Sequence, residues 1–418
     1  MQTAIYRQIF HGGRTRHLGA RHFAPGRRRA SACLCPRQAA GADLIGAPLR
    51  LILPFGHWVW REQERVSLTR AAGNHGRRIM AKRWKTCPEG SSWGEFGDDD
   101  ERGRMNLLTD ESRLQAVKEI RTGRVFCLSH PLDRPGGSVL NAFRKPPVFH
   151  PVMRDGLTYF NLAMAEADPR YTDVGSDEAV MLYTQYSTHW DSFAHKGSLF
   201  DADADGIAEK VFYNGFQIVD RNGRGTQGEL GAVRLSIAGM AESGVQGRGV
   251  MIDLRHHFGD ERVDVTWELL ERVLQADAVT VEKGDIICIH TGLGQLIRDA
   301  DGRLDNSIKM KCSVLDGYDK RLKEWIADTG IAAIAADNLA VERSSTLGAD
   351  PRLPHRGPGL PLHEHCLFKL GIHLGELWYL TELADWLREN RRTRFLLTAP
   401  PLRLPGAAGS PVTPVATV

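Results

Sequence analysis

Three short, continuous apolar runs set the framework of the chain. Residues 249–254 (GVMIDL), 285–290 (DIICIH) and 331–336 (IAAIAA) each read as a strand buried on both faces. Between them the apolar positions recur at helical spacing. Trp267, Leu270, Val273 and Leu274 share one face of a helix over 265–276. Leu322, Trp325 and Ile326 do the same over 318–328, which Gly330 closes as C-cap. This β-α-β-α-β rhythm predicts one α/β domain with a central mixed or barrel-like β-sheet flanked by helices. Upstream, Thr109 is placed to cap a helix over 110–121, 125–128 reads as a strand, and a Pro-rich loop runs through Pro147. Downstream, 394–398 reads as a short strand. The Gly/Pro-rich ending that follows is expected to fold back against the pocket.

Residues 185–195 (QYSTHWDSFAH) carry polar groups at odd positions with small or apolar residues between. In an extended segment Gln185, His189, Asp191 and His195 all point the same way. An amide oxygen, an imidazole and a carboxylate on one face make half of a metal site, and His195 is placed to carry a proton. A second cluster lies in PLHEHCLFKLGIHLGELWYLTELADWL, where His363, His365, His373 and Glu376 stand among leucines. A His and the Glu from here, brought against the first cluster, complete four- or five-fold N/O coordination with room for water. The lack of a nearby thiolate favours a catalytic over a structural site. His373 and one of His363 and His365 read as surface or helix-capping groups. His290 and Asp337 end two of the buried strands, where open α/β sheets place their chemistry. Trp190, Phe193 and Phe212 either line an aromatic pocket or pack in the core.

Composition adds a division of the chain. Residues 1–79 hold 14 Arg, no Lys and only the acids Asp43, Glu62 and Glu64, a charge of about +11 against about −8 for 80–418. This Arg-rich segment lacks lasting apolar periodicity and is expected to lie outside the fold. It reads as a targeting peptide, as a translation start placed ahead of Met80, or as a basic RNA-binding arm. Its length, Trp58, Trp60 and Glu62 favour the second. The mildly acidic body implies no affinity for nucleic acid, and the apolar run over 44–60 is too short and too interrupted to span a membrane. Seven cysteines, of which only Cys33 and Cys35 are close, suit reduced thiols in a cytoplasmic enzyme.

From Met80 onward the chain resembles the large subgroup of the "putative cyclase" family of metal-dependent hydrolases, which includes kynurenine formamidases and isatin hydrolases. The pieces that carry the resemblance are SSWGEFGDDDERGRMNLLT, THWDSFAH, GDIICIHTG, ADNLAVE, PLHEHCL…GIHLGE and APPLRLPGAAGSP, in that order. It implies an α/β fold of the swivelling β/β/α type, a homodimer or homotetramer, and a divalent metal, Zn²⁺ or Mn²⁺. It further implies His189 and Asp191 as ligands, His195 in proton transfer, and a distal His and Glu as the remaining ligands. Glu376 fits that Glu; His363 and His365 both fit the His, with His363 first because it follows Pro-Leu. Gln185 stands where a ligand His is expected and offers a weaker, uncharged amide oxygen. The activity implied is hydrolysis of an amide, N-formyl, lactone or ester bond in a small, cyclic or aromatic substrate. A metal- or ligand-binding member without catalysis, and a metal-dependent cyclase or dehydratase, are the alternatives.

Overall fold

The computed structural model describes residues 82–343, 352–353 and 356–418; the Arg-rich extension, Cys33, Cys35, Pro351 and Pro354 lie outside the described residues. Nine strands form one mixed sheet: β1 (Val125–Cys127), β2 (His189–Asp191), β3 (Gln246–Asp253), β4 (Ile286–His290), β5 (Ala333–Ala336), β6 (His373–Glu376), β7 (Arg394–Thr398), β8 (Gly409–Pro411) and β9 (Val415–Thr417). Their order is β1-β9-β7-β3-β4-β5-β6-β2-β8, curled into a half-barrel with open edges.

The apolar runs occupy its centre. β3, β4, β5 and β6 pair in parallel, and every residue of β4 and β5 is buried. Successive residues serve opposite faces. Val250, Ile252, Ile287 and Ile289 join one core with Leu322 and Ile326, while Met251, Ile286, Cys288 and Ala335 join another with Leu383 and Leu387. Burying each such aliphatic side chain contributes about 1.5–3 kcal/mol. The crossovers are helical, as parallel pairing requires. Helices α2 (Trp267–Ala276), α3 (Leu293–Ala300) and α4 (Lys320–Asp328) connect the parallel strands, and α5 (Thr381–Glu389) follows β6. The N-terminal helix α1 (Asp110–Val117) is shorter than the expected 110–121. It is capped by the Thr109 side chain on the Ser112 N–H at 3.2 Å and then loosens into i→i+3 turns as far as Ile120.

The Gly/Pro-rich ending folds back as expected. β8 pairs antiparallel with β2, placing Pro411 opposite His189 and Gly409 opposite Asp191, and β9 closes between β7 and β1. One region is absent from the sequence reading. Within 148–181 three antiparallel ribbons form: Val148–Pro151 with Glu178–Met181, Met153–Arg154 with Leu157–Thr158, and Leu162–Ala163 with Val174–Gly175. Phe149, Met153, Phe160, Val174 and Met181 stand exposed on this arm.

Among the described residues Cys288, Cys312 and Cys366 are buried and Cys87 and Cys127 exposed, all as free thiols.

Candidate active site

The site is built on the three-residue strand β2, next to the sheet's edge strand β8. Over 185–195 only His189–Asp191 is extended, not the whole segment. A turn closed by the Tyr186 N–H on the Tyr183 carbonyl precedes it, and another closed by His195 N–H on Ser192 follows, both at 3.0 Å. Strand alternation therefore places His189 and Asp191 together, and the two turns bring Gln185 and His195 back beside them. Trp190 points to the other face, fully buried at 5.0 Å from Trp378 with its indole N–H on the Ala399 carbonyl. This strand packing, with Phe193 stacked 3.9 Å from His373, makes both aromatics core residues. Gly375 opposes Trp190 because a side chain there would collide with the tryptophan pair, its Cβ lying 2.8 Å from Trp378 Nε1.

β6 supplies the distal acid. In the antiparallel register Glu376 stands directly across from His189, and their Oε2 and Nε2 atoms are 3.4 Å apart. His363 arrives from a short helical turn, Pro361–His363. Its Nε2 lies 3.2 Å from Glu376 Oε1 and 3.8 Å from Asp191 Oδ2. His189 Nε2 lies 3.6 Å from Asp191 Oδ1. His189 Nε2 and Asp191 Oδ2 are buried and have no hydrogen-bond partner. His195 Nε2 sits 3.9 Å from Asp191 Oδ2, on the partly exposed side. Two groups of donor atoms thus overlap at Asp191: His189, Asp191 and Glu376, and Asp191, His195 and His363.

Each imidazole is oriented from behind. His189 Nδ1 faces the Ser187 carbonyl at 2.7 Å, which leaves Nε2 for the cluster. His363 Nδ1 faces Glu342 Oε1 at 3.0 Å. The same buried carboxylate accepts the Leu362 and His363 backbone N–H groups, at 2.9 and 2.8 Å, so one acid caps the turn and fixes its histidine. Burial opposes charge on His363, but the Glu342 and Glu376 carboxylates outweigh it and lift the imidazole to about 10. For Glu376 burial favours the neutral acid, and the His189 and His363 imidazoles hold it well below the usual range. Burial pushes His195 down to about 4 against the pull of Asp191, so this imidazole is neutral at pH 7.

Not every expected residue converges. His365 faces away, its Nε2 on the Lys323 carbonyl at 2.9 Å, because residues two apart on a helical turn point in different directions. His373 is neither at the surface nor a cap: it is buried, donating from Nδ1 to the Asp191 carbonyl at 2.8 Å. Gln185 reaches the cluster through its amide nitrogen. That nitrogen hydrogen-bonds to Asp191 Oδ1 and lies 3.1 Å from His195 Nδ1. Glu342 was missed from sequence; the signal was an acid closing the apolar run of ADNLAVE.

The "putative cyclase" family matches residues 126–343, more than half of the chain. The chain belongs to this family. A solved structure of a novel cyclase is 30% identical, covers 78% of this chain and 99% of its own, and superposes with a TM-score of 0.61. Isatin hydrolase A from Labrenzia aggregata, bound to benzyl benzoate, is 14% identical, with 73% and 98% coverage and a TM-score of 0.47. Isatin hydrolase A from Ralstonia solanacearum is also 14% identical, with 70% and 91% coverage and a TM-score of 0.43. Among curated proteins none matches. In this cyclase-family chain the profile match spans β2 and Glu342 but stops before His363 and Glu376. No helix among the described residues is long and apolar enough to cross a membrane.

Proposed function

We propose that the chain is a metal-dependent hydrolase cleaving the C–N or C–O acyl bond of a small amide, N-formyl, lactone or ester substrate. One observation carries this reading. His189 Nε2 and Asp191 Oδ2, both buried, have no partner, yet His363 and Glu376 stand beside them. Such orphaned atoms are costly unless something satisfies them. A divalent cation fits. Ligand atoms held ~2.1 Å from one ion at tetrahedral angles lie roughly 3.4 Å apart; His363 Nε2 lies 3.2 Å from Glu376 Oε1 and 3.8 Å from Asp191 Oδ2, and His189 Nε2 lies 3.4 Å from Glu376 Oε2. Two carboxylates balance its charge, and the mixed N/O set without thiolate suits Zn²⁺ or Mn²⁺.

His189, Asp191, His363 and Glu376 would hold the ion. When bound, it lowers the pKa of a coordinated water toward ~7 and polarises an acyl oxygen. The protein's own groups do the rest. Glu342 and the Ser187 carbonyl keep both ligand imidazoles turned with Nε2 inward. His195, on the exposed side, presents Nε2 to the water and to the departing nitrogen or oxygen and assists the proton transfer between them. A small recess lined by Leu140, Arg144, Gln185, Tyr186, Leu339 and Leu377 adjoins the site at Gln185. The test is a panel of lactones, esters and N-formyl compounds in H₂¹⁸O with the metal-loaded protein. One solvent oxygen in a carboxylate product is the expected result; turnover without it would replace hydrolysis by a cyclase or dehydratase reaction.

The chain is further inferred to act as a homodimer or homotetramer in the cytoplasm. What supports self-association is the arm, on which Phe149, Met153, Phe160, Val174 and Met181 are exposed, apolar surface of the kind that interfaces cover. Light scattering of the full chain should give a multiple of the chain mass; a monomer at micromolar concentration would refute it.

A further inference from the structure

Gln185 occupies the position where the family pattern places a ligand histidine, and its surroundings assign it another task. Its backbone carbonyl accepts from Arg144 Nη1 at 2.7 Å, anchoring the turn. Its side-chain stem lies along Gly409 of β8, where a Cβ would come within 2.6 Å of Gln185 Cγ. The amide is thereby held with its nitrogen between Asp191 Oδ1 and His195 Nδ1. The opposite assignment would set the amide oxygen against a carboxylate oxygen, acceptor against acceptor. An amide nitrogen carries two protons and a carboxylate only accepts. One proton goes to Asp191 and the second faces His195 Nδ1. A neutral imidazole that accepts at Nδ1 must carry its own proton at Nε2.

We propose that Gln185 is a positioning residue rather than a metal ligand: its amide occupies Asp191 Oδ1 and fixes His195 as the Nε2–H tautomer. This deepens the hydrolase reading and rests on it. Asp191 is divided between its two oxygens, Oδ1 taken by the amide and Oδ2 left free for the ion. His195 presents a donor at Nε2, the nitrogen that faces Asp191 Oδ2 at 3.9 Å. A donor is what the departing nitrogen or oxygen needs, since that atom leaves with an electron pair and takes up a proton. The proton that atom takes up is the one released by the water that adds to the acyl carbon, handed over while the imidazole keeps its own Nε2 hydrogen, so no imidazolate is formed.

Two readouts, neither of them turnover, decide this in Gln185→Met and Gln185→Ala, which remove the donors with and without keeping bulk. Co²⁺ serves as the probe metal, because its visible absorption reports the atoms bound to it. The Co²⁺ spectrum should be unchanged in both Gln185 variants and lost or shifted in His189→Ala. The ¹⁵N signals of labelled histidine, with His195→Asn to assign them, should show an Nε2–H tautomer at His195 in the wild type. That preference should fall toward an even mixture in the variants. A Co²⁺ spectrum altered by Gln185→Met would make Gln185 a ligand and overturn the proposal. A His195 tautomer that ignores the substitution would overturn it equally. A wild-type Co²⁺ spectrum in His189→Ala would instead contradict the metal site itself, leaving the two failures distinguishable.

Discussion

Two clusters of buried histidines and carboxylates sit on one sheet, and they differ in what they leave unpaired. At the ends of β3, β4 and β5, His290 Nδ1 meets Asp253 Oδ1 at 2.7 Å and its Nε2 meets Thr381 Oγ1 at 3.1 Å. Asp253 Oδ2 accepts from Arg388 Nη1 at 2.7 Å, and Asp337 accepts from the Thr291 N–H and hydroxyl and from the Gly292 N–H. Every side-chain acceptor there is met, and the cluster binds three strands to α3 and α5. Around Asp191 on β2 and Glu376 on β6 the same residue types converge but leave His189 Nε2 and Asp191 Oδ2 without partners. Residue type and burial alone do not separate the two. The closed network holds the fold together, and the open one keeps donor atoms for a further group.

The contrast is easiest to break at its strongest point. His189→Ala should abolish metal retention after dialysis and with it turnover, a fall of at least ~10³-fold; full metal content would remove His189 from the site. His195→Ala should keep its metal and lose turnover by about 10²–10⁴-fold, the usual contribution of a positioned proton carrier. Wild-type rates in that variant would end the proton-carrier role. Glu342→Gln leaves the His363 Nδ1 proton with a neutral acceptor and should weaken metal binding by roughly 10–100-fold, read by competition with a chelator. An unchanged affinity would reduce Glu342 to a cap. The smallest effect belongs to the closed cluster. Asp253→Asn should leave metal content intact and cost about 1–3 kcal/mol in urea unfolding. Burial favours the neutral acid at Asp253, but His290 and Arg388 hold its carboxyl below the usual range. Its folded pKa is therefore lower than the unfolded value of ~3.9, so its stabilisation is present above that pH and lost as pH falls through the folded value. Wild type and variant should converge in acid, and a gap that persists there would contradict the carboxylate's role.

How far the chain could be read depends on where periodicity carries information. The buried strands β4, β5 and β7 and helices α2 and α4 follow their apolar patterns closely, because burial on both faces or along one stripe is written into consecutive residues. The site was legible as a set of residue types, and Gln185, His189, Asp191, His195, His363 and Glu376 do come together. Its geometry was not. The expected extended face over 185–195 reduces to three residues, and the turns that return Gln185 and His195 depend on backbone hydrogen bonds with no sequence period. His290 and Asp337, at expected strand ends, proved structural because their partners Asp253, Thr381 and Thr291 come from elsewhere in the chain. Glu342 was overlooked for the same reason, since its partners Leu362 and His363 stand about twenty residues further along the chain. The arm at 148–181 escaped notice because ribbons of two to four residues carry too few positions for alternation to show.

The central claim is that β2 and β6 jointly grip a divalent ion. Elemental analysis of the purified full chain, beside Glu376→Ala and His290→Ala, tests it most directly. The account predicts bound zinc or manganese at one equivalent or more in the wild type and in His290→Ala, and none in Glu376→Ala. A metal-free wild type supplied with both ions, or a Glu376→Ala protein that holds its metal as firmly as the parent, would contradict it.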